Sequence, residues 1–253
     1  MIDIHTHLLP GVDDGSKSLE ASLEVLRRFA EQGVTTVVCT PHLEASRARE
    51  APHAQHDELF AQLVAASTRP PELRRGWEIL LDVPGADLGD PRLGLGGSSA
   101  RLVEFARLGL PANSDKDLLR IHENGLVPVV AHPERYWGCT PALVARWKAA
   151  GAVIQMDVTA ILRRGGPHRL AEELITNGLV DLFASDTHVD RRTLAIARDW
   201  LSDVTTADNV RLLTFENARR LLADEPTLPI WPIQLRRGMV RRLGEIVFGK
   251  SSA

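Results

Sequence analysis

Short runs of β-branched and apolar residues alternate along this chain with amphipathic stretches long enough to be helices, and that rhythm restricts the fold more than any other feature. Strands are predicted at residues 2–5, 34–39, 75–81, 101–104, 127–131, 153–155 and 179–184. Helices are predicted at 18–32, 55–66, 114–124, 141–150 and 167–177. Gly33, Gly125, Gly151 and Gly178 follow four of those helices, where a left-handed residue ends the last turn. Strand, helix, strand repeated about seven times is the pattern of an α/β fold with a parallel sheet. At 253 residues a closed or distorted barrel is expected, in one domain without repeats or linkers.

Two regions depart from the rhythm. Residues 82–99 are rich in Gly, Pro and Asp and are expected to form a loop over one end of the barrel. Residues 226–253 open on Pro226-Thr-Leu-Pro-Ile-Trp-Pro232 and continue with a basic helical pattern that includes Arg236, Arg237, Arg241 and Arg242. The expected division is therefore a barrel over 1–225 and an extension over 226–253 packed on it. The extension's charged face is either solvated or a contact for a partner or a membrane surface.

A formal net charge of −3 supplies no global basic field for nucleic acid. No stretch reaches the ~18 apolar residues of a membrane span. The opening MIDIHTHLLP lacks the positive leader and apolar run of a secretory signal, so a cytoplasmic enzyme is expected. Cys39 and Cys139 form neither a CxxC pair nor a disulfide framework.

The candidate chemistry begins at His5 and His7. Residues two apart on a strand project to the same face, so both imidazoles can reach one ion. His42, Glu78, Glu104, His132, Asp186 and His188 fall in or just after later predicted strands, where barrel enzymes build their sites. With Asp14, from the Asp13-Asp14-Gly15 turn, nine N/O ligands are available, enough for two or three cations. Mixed imidazole and carboxylate donors suit Mn, Fe or Zn better than Ca. Two ions about 4 Å apart can hold a bridging hydroxide and clamp a phosphoryl group, with Glu78 as a candidate bridge, so the expected enzyme is a metal-dependent phosphoesterase. Arg135, three residues after His132, can bind phosphate bidentately; its alternative is a salt bridge to Glu134. Tyr136 and Trp137 either line the pocket against a phenyl ring or pack in the core. No Cys-x5-Arg loop is present, which excludes a cysteinyl-phosphate mechanism.

These residues carry a resemblance. The opening Ile4-His5-Thr6-His7 through Pro10-Gly11-Val12-Asp13-Asp14-Gly15 resembles the polymerase and histidinol phosphatase (PHP) superfamily. More narrowly it resembles the bacterial protein-tyrosine phosphatases of capsule and exopolysaccharide gene clusters. Thr40-Pro41-His42, Glu78-Ile79, Val103-Glu104-Phe105, Ala131-His132-Pro133-Glu134-Arg135-Tyr136 and Ser185-Asp186-Thr187-His188 match that group in order, over residues 1 to about 222. The resemblance implies a distorted seven-stranded (β/α) barrel with a trinuclear, usually Mn²⁺-dependent site. One ion would take His5, His7, Glu78 and Asp186, a second Glu78, Glu104 and His132, and a third Asp14, His42 and His188. Arg135 would bind the substrate phosphate with Tyr136 beside it, and His42 and His188 would join Arg135 in the catalytic set. The implied substrate is phosphotyrosine on the tail of a tyrosine autokinase that controls polysaccharide export, and ring-like self-association is implied as well. Three features depart from the group. Trp77 replaces a small residue and is expected on the other strand face; Asp157 replaces the usual Asn; and the 82–99 loop is atypical. Asp157 is either a carboxylate near the metals or a capped loop residue.

Three other readings are weighed. Amidohydrolases also open with His-x-His, but they commonly bridge two metals with a carbamylated Lys. None of Lys17, Lys116, Lys148 and Lys250 falls at a predicted strand end. A histidinol-phosphate phosphatase would use a similar metal site. A non-catalytic scaffold would be expected to have lost ligands, and all nine are present.

Overall fold

The computed structural model describes residues 1–162 and 166–235. The chain enters on β1 (Ile2–Thr6) and turns into α1 (Leu19–Glu31), capped by Ser18, whose side chain accepts from the Ala21 amide. β2 (Thr36–Cys39), β3 (His42–Glu44), α2 (His53–Ala66), β4 (Glu72–Arg75) and β5 (Glu78–Leu80) follow. Next come β6 (Ala100–Glu104), α3 (Ser114–Glu123), β7 (Val127–Ala131), α4 (Pro141–Ala149) and β8 (Val153–Asp157). The described chain closes with α5 (Gly166–Thr176), β9 (Leu182–Ala184), α6 (Leu194–Val204), α7 (Ala207–Arg211), a π turn at Leu212–Glu216, and α8 (Asn217–Leu222).

All pairings are parallel. They form a three-stranded sheet in the order β1-β2-β4 and a six-stranded sheet in the order β3-β5-β6-β7-β8-β9. The expectation of seven strands in one barrel is therefore corrected, among the described residues, to nine strands in two sheets. The two additional strands arise at two interruptions, one just beyond the predicted strand at 34–39 and one within that at 75–81. Thr40-Pro41 separates β2 from β3, where proline has no N–H for the ladder, and Gly76-Trp77 separates β4 from β5. Backbone bonds cross both breaks: Gly76 N donates to the Cys39 carbonyl at 2.9 Å, and Glu78 N to that of Pro41 at 3.0 Å. At the other side, Asp186 N donates to the His5 carbonyl and His7 N to that of Thr187, each at 2.9 Å, so the chain leaving β9 runs along the end of β1.

Parallel strands covered on both faces are apolar throughout, and alternate residues point opposite ways. Leu102, Val129 and Leu182 pack with Ile4 of β1 and with Ala218 and Leu221 of α8. Their neighbours Val103, Val130 and Phe183 pack with Leu118, Trp147 and Trp200 of the surrounding helices. Each fully buried side chain of this kind contributes roughly 1.5–3 kcal/mol.

The 82–99 segment is a packed loop with two 3₁₀ turns rather than an open one. Buried Arg101 holds it, donating to the carbonyls of Leu88, Ser98 and Asp90 at 2.9, 2.9 and 3.1 Å. The helices after residue 190 were not anticipated from the sequence. Beyond them, Ile230 and Ile233 are buried in the main core, and Asn217 exchanges hydrogen bonds with Leu228. The basic pattern at Arg236, Arg237, Arg241 and Arg242 lies outside the described residues. Among the described residues no helix is long and apolar enough to cross a membrane.

Candidate metal centre

The ends of β1, β5, β6 and β7, with the segments leaving β2 and β9, meet at one mouth. His5 and His7 project together from β1 and its continuation, and both are fully buried. Their Nε2 atoms lie 3.2 Å apart, and each lies 3.2 Å from Glu78 Oε2. Asp186 Oδ1 is 3.3 Å from His5 Nε2 and 3.2 Å from His7 Nε2. Four donors at 2.0 Å around a tetrahedral ion would stand ~3.3 Å from one another, so these four atoms fit a cation such as Zn²⁺ or Mn²⁺.

Second-sphere contacts set the imidazoles for that role. Gln155 Oε1 accepts from His5 Nδ1 at 3.1 Å, and Asp13 Oδ2 accepts from His7 Nδ1 at 2.8 Å. Each proton is held on Nδ1, which leaves the Nε2 lone pair facing the cluster. Asp13 and Gln155 were not among the residues read as functional from the sequence. The Asp13 turn folds back on β1 through Gly15, where an added Cβ would lie 2.2 Å from the His7 carbonyl oxygen.

Two further groups share these ligands. Glu78 Oε2 is 3.0 Å from His42 Nδ1, and Glu104 Oε1 is 3.5 Å from the same nitrogen. The other Glu78 oxygen, Oε1, is 2.9 Å from His132 Nε2, with Glu104 Oε2 at 3.8 Å. At the open edge Asp14 Oδ1 is 3.4 Å from His42 Nε2 and 3.2 Å from His188 Nε2. His7, Asp14, His42 and His188 form one compact donor group, and His42, Glu78 and Glu104 another. The structure thus brings all nine expected ligands to one place. It puts His42 between two groups, whereas the resemblance gave it to one.

The electrostatics match a site built for cations. Glu78 and Asp186 are buried, which opposes their charge, yet the surrounding histidines hold both carboxyls well below the usual range. Burial also opposes charge on His5 and His7, but Glu78, Asp186 and, for His7, Asp13 outweigh it and raise both. His42 is raised to about 10 by Glu104 and Glu78 against its burial. Burial lowers His132 and His188. Glu78 Oε2 is buried without a conventional hydrogen bond although three imidazole nitrogens surround it, as expected for an atom aimed at an ion. His132 and Asp186 hold left-handed backbone conformations at φ 32° and 47°, a local cost of the kind concentrated at functional sites.

Arg135 reaches this cluster from the turn after β7. Its Nη1 is 2.6 Å from Asp186 Oδ2, and its Nη2 pairs with Asp157. Asp157 therefore meets the arginine and also caps Thr159 N at 2.6 Å. Arg192, unremarked in the sequence, reaches the same Asp186 oxygen at 3.1 Å. Trp77, in the break between β4 and β5, is buried and stacked on His56. The expectation that Tyr136 binds substrate is corrected. Its ring is 3% exposed, and its hydroxyl donates to the Ala131 carbonyl at 2.6 Å and accepts from Phe105 N at 3.2 Å, so it braces β6 against β7. Trp137 is 78% exposed. Burial pushes the Cys39 and Cys139 thiols up to about 12, so neither offers a thiolate near neutrality.

Comparison with known proteins defines the class. The chain belongs to the capsular polysaccharide synthesis CpsB/CapC family, whose match spans residues 1–223. The tyrosine-protein phosphatase YwqE of Bacillus subtilis is 29% identical over 200 residues, 74% of this chain and 77% of that protein. The tyrosine-protein phosphatase CpsB of Streptococcus pneumoniae is 27% identical over 246 residues, 89% of this chain and 99% of that protein. A solved structure from work on those two proteins, described as unique metal-dependent tyrosine phosphatases, superposes with a TM-score of 0.75 at 27% identity, covering 94% of this chain and 100% of that one. An L-hydantoinase of Arthrobacter aurescens superposes at 0.52 with 10% identity over 89% of this chain and 71% of that one, a likeness of fold alone.

Proposed function

We propose that this chain is a metal-dependent phosphomonoesterase that hydrolyses phosphotyrosine on proteins. The observation that carries the reading is the convergence of His5, His7, Glu78 and Asp186 on one point, with Arg135 on the outer oxygen of Asp186. Support comes also from the likeness of this chain to named metal-dependent tyrosine phosphatases.

His5, His7, Glu78 and Asp186 would hold one cation. Glu78, Glu104 and His132 would hold a second. Asp14, His42 and His188, with His7 beside them, would hold a third. Mn²⁺ is the metal of the resembling group, and the same donors accept Fe or Zn. Bound cations would supply a hydroxide at neutral pH and offset charge on the phosphoryl oxygens. Arg135 binds the phosphate and stabilises its charge, while its contact with Asp186 ties the anion site to the metal site. Asp13 and Gln155 hold His7 and His5 in the ligating tautomer. His42 and His188 stand at the solvent edge, where a proton can reach the departing phenolate oxygen.

The physiological substrate is proposed to be the phosphorylated tail of a tyrosine autokinase in polysaccharide export, met in the cytoplasm by a self-associating enzyme. A distorted barrel over 1–225 is the proposed architecture; the backbone bonds that join the two sheets support it. The test measures phosphate release, in Mn²⁺, from a phosphotyrosine peptide, a phosphoserine peptide and histidinol phosphate. Selective release from the first is expected. Preference for histidinol phosphate would overturn the substrate assignment.

A further inference from the structure

The metal centre opens into a cleft of about 950 Å³ whose lining is unevenly charged. Most of its charged groups are committed. Asp14 faces His42 and His188, Asp190 accepts from Arg192 Nε at 2.7 Å, and Arg135 is shared between Asp157 and Asp186. Arg107 and Arg191 also line the cleft, and both are exposed. Among the described residues neither guanidinium has a hydrogen bond or ion pair, although the Arg107 carbonyl accepts from Trp137 N at 2.8 Å. Arg107 lies beyond the end of β6 and Arg191 beyond the end of β9, so they stand on opposite sides of Arg135, which follows β7. Leu162, Pro167 and Ile196 form an apolar stretch of the same wall.

We infer that Arg107 and Arg191 make this cleft selective for phosphotyrosine flanked on both sides by acidic residues, an inference that rests on the phosphotyrosine reading above. The apolar stretch suits a phenyl ring leading a phosphate down to Arg135, and the peptide chain on either side must then pass one arginine. β6 and β9 are three strand spacings apart, ~14 Å, and an extended peptide advances ~3.3 Å per residue. Arg135 follows β7, one spacing from β6 and two from β9, so Arg107 addresses a side chain one to two residues from the phosphotyrosine and Arg191 one about three residues away on the other side. Unpaired guanidiniums at the rim of a cleft attract carboxylates through contacts that remain hydrated, so they act on capture and orientation more than on the chemical step.

The test compares kcat/KM for three phosphotyrosine peptides that differ only in whether the flanking residues are Glu, Gln or Lys, with p-nitrophenyl phosphate as a reference without flanks. At low salt the Glu peptide should exceed the Gln peptide about five- to tenfold, the size expected of two exposed ion pairs, and the Lys peptide should fall below both. The Glu/Gln ratio should shrink in Arg107→Gln and in Arg191→Gln, approach one in the double variant, and contract as ionic strength rises. Equal rates on the Glu and Gln peptides, or a ratio that survives in the double variant, would overturn the inference and leave the phosphatase reading standing. Hydrolysis of p-nitrophenyl phosphate with none of the three peptides would remove the protein-phosphotyrosine reading and this inference with it.

Discussion

Asp13 binds no substrate and, in this account, no metal, yet its charge should decide how tightly the centre holds one of its ions. Its Oδ2 lies 2.8 Å from His7 Nδ1, and its side chain is 6% exposed. Across the imidazole and a ~2 Å metal–nitrogen bond, the carboxylate would sit ~7 Å from the cation, an attraction of ~2.4 kcal/mol per unit charge at an effective dielectric of 20. Removing outer-sphere carboxylates typically weakens metal binding about 10- to 100-fold, or ~1.4–2.7 kcal/mol, which agrees. Asp13→Asn keeps the shape of the turn, and an amide oxygen can still accept from Gly15 N as Asp13 Oδ1 does at 2.9 Å. Calorimetric titration of the chelator-stripped variant with Mn²⁺ should give an affinity reduced by that factor. Saturating metal should restore most of the turnover, because the ligands themselves are intact. A variant that binds Mn²⁺ within twofold of the parent would refute the reasoning that Asp13 tunes His7.

Two further predictions test the electrostatics and the packing. In metal-stripped protein the raised pKa values of His5, His7 and His42 mean that the folded state binds more protons than the unfolded chain, in which imidazoles titrate near 6.5. Their stabilisation is therefore complete below about pH 6.5 and lost as pH climbs toward the value of about 10 for His42. The depressed Glu78 and Asp186 act oppositely, losing their contribution as pH falls below their ordinary values of 4.5 and 3.8. The midpoint of thermal unfolding of stripped protein should fall between pH 6 and 9.5, while metal affinity rises over the same interval because imidazoles must shed protons to ligate; a stripped-protein midpoint that climbs with pH would contradict this assignment. Tyr136→Phe should cost about 1–3 kcal/mol in chemical denaturation, since the Ala131 carbonyl and the Phe105 amide lose their partner, with KM for a phosphotyrosine peptide unchanged within twofold. A large rise in KM without loss of stability would restore Tyr136 to the substrate site.

What could be read from the sequence divides along a physical line. All the ligands but Asp14, which stands in a turn, were legible because they lie in or beside strands, and a two-residue spacing on a strand already fixes a shared face, as with His5 and His7. The contacts that support them were not. Asp13 reaches His7 only because the turn after β1 folds back through Ser16, whose amide donates to the His7 carbonyl at 2.9 Å. Gln155 meets His5 from 150 residues away. Arg192 reaches Asp186 through a loop whose path no local pattern specifies. The strand count erred because the short β3 after Thr40-Pro41 carries too few residues to read as a strand, and because Gly76-Trp77 splits the run at 75–81. Tyr136 misled because adjacency to Arg135 in the chain says nothing of direction; at that turn the arginine enters the cleft and the tyrosine enters the core. The helices after residue 190 carry Thr193 and Thr206 at their N-termini, capping signals that were available but unused.

The most direct test of the central claim is the rate of phosphate release from a phosphotyrosine peptide by protein stripped with a chelator, followed as Mn²⁺ is returned in counted equivalents. The account predicts negligible turnover in stripped protein and recovery that saturates at two to three ions per chain, with Glu78→Gln failing to recover on the order of 10³-fold. Full activity in protein shown by elemental analysis to be metal-free would contradict it.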